Sequence, residues 1–321
     1  MFSNVGRTRP WFVYGSLKPG ELGYRRIETL VAESFPAQLD DWQLGLRDGL
    51  PAIKEKPSSA VKGFVLESKP DEADALDTEI SSFEYPITQN PRTYKESIAT
   101  VTTPDGQKLA VKVNAANHPN KSPLETISSG TWSVSDDLLF RHALPVLYDQ
   151  AHQTEDVYPD SDIPEFWKTY LPLKGTFLNI WTVFERYIAF AQPALQNLPT
   201  EDRGDREECE CKAGPKMTDH YLALHESDLG TRLLEYVQTL PTERIYPSNK
   251  VKRSARTHVP WEQWYTVRNN AAHRGKTAIK DFRIVHNAAR GLSEALIALI
   301  RLEVPALDEH YESLGIPLHA A

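Results

Sequence analysis

The sequence predicts an α+β fold in two parts: a mostly antiparallel sheet over residues 10–118, then an all-helical region from residue 135 onward. Three observations carry this expectation. Through the first third of the chain, short β-branched and aromatic runs alternate with turn-forming clusters. From residue 135 the apolar residues recur at helical spacing, with hardly a strand signal among them. The length of 321 residues is ample for two domains of ordinary size.

Taken in order, "RPWFVYGSL", "WQLGL", "AVKGFVLES", "ESIATVTT" and "KLAVKVNA" read as strands, separated by the breakers "RDGLP", "EKPSS" and "TPDG". "TTPDGQK" has the chemistry of a hairpin turn. Within this half only "LGYRRIETLV" and "PDEADALDTEISS" look helical. The second half opens with "SDDLLFRHALPVLYDQAH", in which capping residues precede helical spacing. "KGTFLNIWTVFERYIAFAQ", "HYLALHESDLGTRLLEYVQTL", "PWEQWYTVRNNAAH" and "IKDFRIVHNAARGLSEALIALIRL" follow as helices. Between them the polar "LPTEDRGDREECECKAGPKM" reads as a long mobile loop. The expected organisation is a domain over 8–134, a linker helix over 135–160 and a helical domain over 161–305, with no internal repeat.

Hydrophobic residues at 40% and charged residues at 25% are ordinary for a globular protein. The net charge of −8 means that any nucleic-acid contact must come from a local basic patch. "MFSNVGRTRP" lacks a signal-peptide core, and no segment approaches the roughly 18 apolar residues of a spanning helix, so a cytoplasmic protein is expected. The two cysteines, Cys209 and Cys211, read either as half a metal site with His220 or as reduced thiols in an exposed loop. Because no second Cys/His pair follows at ligand spacing, no metal or other cofactor is expected.

The first candidate site is the turn Tyr14-Gly15-Ser16-Leu17 at the end of a strand. With no Cβ at Gly15, its successive backbone N–H groups can wrap a carboxylate, although such a turn can equally be only a turn. "VYGSLKPG", "GLPAI" at 49–53, "VKGFVLE" at 61–67 and "ISSGTW" at 127–132 occur in that order. Together they resemble the gamma-glutamylcyclotransferase-like family, whose hallmark is a Tyr-Gly-Ser/Thr-Leu loop, across residues 10–134. The resemblance implies a small mixed β-barrel with flanking helices. It also implies cyclisation of a γ-glutamyl group to 5-oxoproline with release of its amine. Tyr14, Gly15, Ser16 and Leu17 would then hold the substrate α-carboxylate, and Tyr94 would pack beside the pocket. One carboxylate would serve as base toward the α-amine and then as acid toward the leaving nitrogen. The family pattern of Leu-Asp-x-Phe/Tyr-Glu-Gly is spread out here in "ALDTEISSFEYPITQNPRTYKES". Glu84 keeps the Phe-Glu pair and is preferred; Glu79 keeps the Leu-Asp lead-in and is the alternative. Lys95-Glu96 stands where the family has a basic run.

The second candidate site lies in "PWEQWYTVRNNAAHRG". A helix from Pro260 sets Trp261, Trp264, Tyr265, Arg268 and Ala272 on one face, and Gly275 ends it near His273. Arginine binds phosphate and histidine exchanges protons near neutral pH, a pairing suited to phosphodiester chemistry. Arg-Asn-x-x-x-His on the penultimate helix of a helical domain resembles the HEPN family, as does "FLNIWTVFERYIAF", over roughly 165–303. That resemblance implies a metal-independent endoribonuclease acting as a homodimer, with His273 moving the proton, Arg268 stabilising phosphate charge and Asn269 orienting the site. Glu185 is a candidate contact for Arg268. Lys250, Lys252, Arg253, Arg256 and Arg274 form a basic run suited to an RNA backbone, or to a solvated loop. The leading expectation is thus an endoribonuclease domain behind a cyclotransferase-like domain, in defence or stress response. A γ-glutamyl-amine cyclotransferase whose helical half dimerises or binds RNA is the second reading, and a non-catalytic binding protein the third.

Overall fold

The computed structural model describes residues 9–47, 49–84, 94–117, 124–154, 163–191, 228–247, 260–273 and 281–317. The cysteine-bearing loop and the basic run lie outside the described residues. The chain divides into two compact units, Met1–Asp137 and Leu138–Ala321.

In the first unit, β1 (Trp11–Val13), β2 (Val31–Arg47), β3 (Leu50–Ser68), β4 (Tyr94–Thr102) and β5 (Lys108–Ala116) pair in the order β3-β1-β5-β4-β2. A β3–β2 pairing closes the ring into a barrel, and the two-residue β6 (Glu125–Thr126) adds to β2. The β1–β5 contact is parallel and the other pairings are antiparallel, so the barrel is mixed. Val61, Val65, Val101, Val111 and Val113 are fully buried, as β-branched residues on packed sheet faces should be. Gly63 is fixed by sterics: a Cβ there would stand 2.3 Å from the Val13 carbonyl oxygen.

Two expectations are corrected here. "EKPSS" does not separate strands, because β3 continues through it to Ser68. The ladder is interrupted instead: Asp40 pairs with Ala60 and Trp42 with Glu55, which leaves Pro57, with no N–H to give, in the irregular stretch. Asp41 and Ser58 take positive φ there, and Ser58 N–H donates to Asp41 Oδ1 at 3.0 Å. Likewise "LGYRRIETLV" forms two short 3-10 turns, Leu22–Arg26 and Glu28–Leu30, before entering β2. Helix α1 (Ala73–Glu84) forms where expected and buries Leu76 and Ile80 against Trp11, Val13, Leu17, Ile27 and Leu66.

The second unit is helical among its described residues: α2 (Leu144–Gln153), α3 (Ile163–Ala191), α4 (Asp228–Gln238), α5 (Thr242–Ile245), α6 (Pro260–His273), α7 (Asp281–Glu303) and α8 (Pro305–Ser313). α7 is the central element and packs against each of the other six. Gly291 on α7 permits that approach, since a Cβ would lie 2.6 Å from the Arg244 carbonyl oxygen. Ahead of α2, Leu139–Ala143 winds as a π-helical turn rather than as the start of one regular helix. No helix among the described residues is long and apolar enough to cross a membrane.

Inside this bundle Glu294 is 1% exposed and accepts hydrogen bonds at Oε1 from Arg244 Nη1 and, at 2.8 Å, from His152 Nε2. Burial alone raises its carboxyl; the donors from His152 and Arg244 outweigh burial and hold it below its ordinary value.

Candidate functional site

β1 ends in a turn closed by Lys18 N–H donating to the Gly15 carbonyl at 3.2 Å. Tyr14 Oη donates to the Asn114 carbonyl at 2.6 Å, which ties the turn to the far end of β5. A Cβ on Gly15 would be 3.1 Å from Pro51 Cγ, while a Cβ on Gly23 would press on the Ser16 carbonyl at 2.8 Å. Both glycines therefore leave room for the Gly15–Ser16 backbone to take this path. Lys18 Nζ donates to the Trp132 carbonyl at 2.5 Å. Glu21 Oε2 accepts from Val134 N–H at 2.8 Å, so the turn is clasped to the 132–134 segment.

Tyr94 Oη donates to the Pro51 carbonyl at 2.9 Å, and Tyr94 pairs with Ala116 in the β4–β5 ladder. Pro51 thus stands between Gly15 and Tyr94, bringing the predicted turn and the predicted tyrosine to one end of the barrel. Arg47, two residues before the Gly49 turn of the β2–β3 hairpin, donates through Nη1 to the Asn117 carbonyl at 2.7 Å. It is a buried cation at that same end which sequence reasoning missed. Its place depends on the strand pairing, and nothing in its local sequence distinguishes it from a surface arginine.

The two candidate carboxylates have different surroundings. Glu79 is 4% exposed and lies 3.8 Å from Arg26, whose guanidinium also covers the Phe83 ring at 5.1 Å. Burial pushes the Glu79 carboxyl up from its ordinary value, and the Arg26 charge only partly offsets this. The same burial lowers Arg26, against the pull of Glu79. Glu84 is the last residue of α1, and its side chain lies outside the described residues, as does segment 85–93 leading to Tyr94. Asp77, from the Leu-Asp lead-in, holds the helix to the barrel: it accepts from Trp11 Nε1 at 2.6 Å and pairs with Lys112.

In the second unit α6 spans Pro260–His273, the bounds its sequence predicts. Its buried stripe differs from the predicted one. Trp261 and Trp264 are fully buried as expected, but the stripe continues through Val267 and Ala271, leaving Arg268 and Asn269 half-buried at its edge and Ala272 exposed. The helix is rotated so that the smaller apolar residues pack, which spares the arginine full desolvation. Arg268 Nη1 donates to Asn269 Oδ1 at 3.1 Å. Glu185, the anticipated contact for Arg268, accepts from Trp181 Nε1 at 2.7 Å, one helical turn away on α3. The side chain of His273, and the residues Lys250, Lys252, Arg253, Arg256 and Arg274, lie outside the described residues, as do Cys209, Cys211 and His220. Among the described residues no three His, Cys, Asp or Glu side chains converge to hold a metal.

Comparison with known proteins bears on the first unit. Residues 11–134 match the family described as "Gamma-glutamyl cyclotransferase, AIG2-like". Among solved structures, a gamma-glutamyl cyclotransferase is 18% identical over 37% of this chain and 69% of its own, with a TM-score of 0.26. A Bacillus subtilis protein is 17% identical over 42% of each chain at a TM-score of 0.31, so this chain spans less than half of it. An uncharacterized Pyrococcus horikoshii protein is 18% identical over 39% of this chain and 89% of its own, at 0.28. The search of curated proteins returns no significant match. The family match ends at Val134, so the arginine-histidine helix lies beyond it. Residues 11–134 are thus similar, as a domain, to gamma-glutamyl cyclotransferase, AIG2-like proteins.

Proposed function

We propose that the barrel unit is a γ-glutamyl cyclotransferase, acting on a γ-glutamyl small molecule and releasing 5-oxoproline and an amine. The observation that carries this reading is the gathering of Tyr14, Gly15, Pro51 and Tyr94 at one barrel end, within the stretch that matches the family. The amides of the Tyr14–Leu17 turn receive the substrate α-carboxylate. With the carboxylate held, the α-amine loses a proton to Glu84 and attacks the γ-carbonyl carbon, forming the ring C–N bond. The bond to the departing nitrogen then breaks as Glu84 returns the proton to it. Holding amine and carbonyl in one orientation supplies a large share of the rate. Glu79 is assigned a structural part, since it is engaged with Arg26. The test is 5-oxoproline release from a panel of γ-glutamyl compounds by the full chain and by Glu84→Gln. A Glu84→Gln protein as active as the parent refutes the assignment, and a parent inactive on the whole panel refutes the reaction.

A second reading concerns the helical unit and rests on Arg268 and Asn269 standing together at the edge of α6. In it, a homodimer of this unit cleaves RNA without metal: His273 takes the proton from the RNA 2′-OH, Arg268 neutralises charge on phosphorus, and the basic run at 250–256 and Arg274 hold the backbone. Its place in a defence or stress response would follow from that activity. RNA incubated with the protein in EDTA should acquire 2′,3′-cyclic phosphate ends, with loss of about 10²–10³ in rate for His273→Ala. Full activity in that variant, or cleavage of a substrate deoxygenated at the scissile 2′ position, refutes it.

A further inference from the structure

The π-helical turn Leu139–Ala143 has a consequence outside both candidate sites. A π turn inserts a residue into the helical ladder and leaves carbonyls in need of other donors, and such turns recur at functional positions. Here α8 supplies the donors: Tyr311 Oη donates to the Phe140 carbonyl at 2.7 Å and His310 Nε2 donates to the Arg141 carbonyl at 2.9 Å. These two bonds seat the His310 ring beside that of His142, with centroids 6.4 Å apart and planes at 82°. We propose that His142 and His310 form a surface site for a divalent first-row transition ion, Cu(II) or Zn(II).

The chemistry follows from the hydrogen bonds. Because His310 gives its Nε2 hydrogen to a carbonyl, the neutral ring carries its lone pair on Nδ1, and a carbonyl on the opposite nitrogen is the usual outer-shell partner of a metal-binding histidine. His142 is exposed, so its ring is free to turn. A metal–nitrogen bond of about 2.0–2.1 Å places two imidazole centroids roughly 5 Å apart at a tetrahedral angle and a little over 6 Å apart when the rings oppose each other. The observed separation is at the outer end of that span, and in this proposal an ion draws the rings closer by turning the exposed His142. Imidazole nitrogen suits Cu(II) and Zn(II) better than Mg(II) or Ca(II), and Cu(II) binds most tightly of the divalent series. With no third His, Cys, Asp or Glu placed to join them among the described residues, water completes the coordination and the ion is exchangeable.

The full chain, stripped of metal by chelator, is titrated with Cu(II) and followed by electron paramagnetic resonance, with Zn(II) as competitor. The first equivalent should show two nitrogen ligands and yield to Zn(II). His142→Ala and His310→Gln should each lose one nitrogen and weaken binding at least tenfold. Glutamine at 310 retains an amide hydrogen for the Arg141 carbonyl, and the exposed His142 position decides the matter by itself if the 310 variant misfolds. The sequence holds ten histidines, so a first equivalent that is unchanged in both variants assigns the copper elsewhere and overturns the proposal.

Discussion

Glu79 and Glu84 are separated by five positions on one helix, and their replacement should give opposite results. Glu79 is nearly inaccessible and faces Arg26 at 3.8 Å, with side-chain exposures of 6% and 14%. Two unit charges at about 4 Å interact by about 4 kcal/mol at the effective dielectric of a protein interior near its surface. Removing one partner of such a buried pair strands the other, at a cost of about 3–5 kcal/mol. Glutamine keeps the shape and one acceptor, so Glu79→Gln should cost about 2–4 kcal/mol. For a unit of this size each kcal/mol lowers Tm by about 4 °C, giving a drop of about 8–16 °C. Calorimetry of the full chain measures this, while 5-oxoproline release at a temperature where both proteins are folded measures catalysis. Glu79→Gln should keep most of its kcat; Glu84→Gln should lose activity at unchanged Tm. A Glu79→Gln protein with full stability and no activity would refute the reasoning and move the base to Glu79.

Two other expectations concern the helical unit. Gln263 is fully buried on α6, and among the described residues neither its Oε1 nor its Nε2 has a hydrogen-bond partner; an unpartnered buried group costs about 1–3 kcal/mol. Gln263→Met should therefore raise the Tm of this unit by several degrees in calorimetry, and a fall would show that the amide is engaged. The Glu294 carboxyl is lowered in the folded state, so its contribution is complete above the unfolded carboxylate value and is lost as pH falls through the lower folded one. Acid titration followed by helix ellipticity should show that limb, and Glu294→Gln should flatten it; an unchanged acid limb in the variant refutes the assignment.

What could be read from the sequence was local chemistry. Pro260 opens α6, and Gly106 at positive φ turns the β4–β5 hairpin where "TPDG" signals it. The Tyr14 turn was readable because a strand, a glycine and a Pro-Gly pair follow one another directly. Its clasps were not, since Tyr14 meets Asn114 and Lys18 meets Trp132 across a hundred residues or more. The rotation of α6 was missed for a different reason. Trp261 and Trp264 fit either of two adjacent stripes, one running on through Arg268 and Ala272, the other through Val267 and Ala271. The neighbours on α3, α5 and α7 decide between them, and Trp264 Nε1 donates to the Arg244 carbonyl on α5 at 2.9 Å.

The same distinction bears on the candidate base. Spacing alone offered two glutamates, each retaining part of a family pattern. What separates them is Arg26, 53 positions before Glu79 and on a 3-10 turn that helical spacing had disguised as a longer helix. That turn brings the guanidinium onto Phe83 and against Glu79 at once, committing the interior carboxylate to the helix–barrel junction. A general base must be free to exchange its proton with substrate, and a carboxylate engaged by a buried arginine is poorly suited to that role. Asp77 and Glu79 are thus both engaged where α1 meets the barrel, and Glu84 is the acid of this helix that we propose as the base.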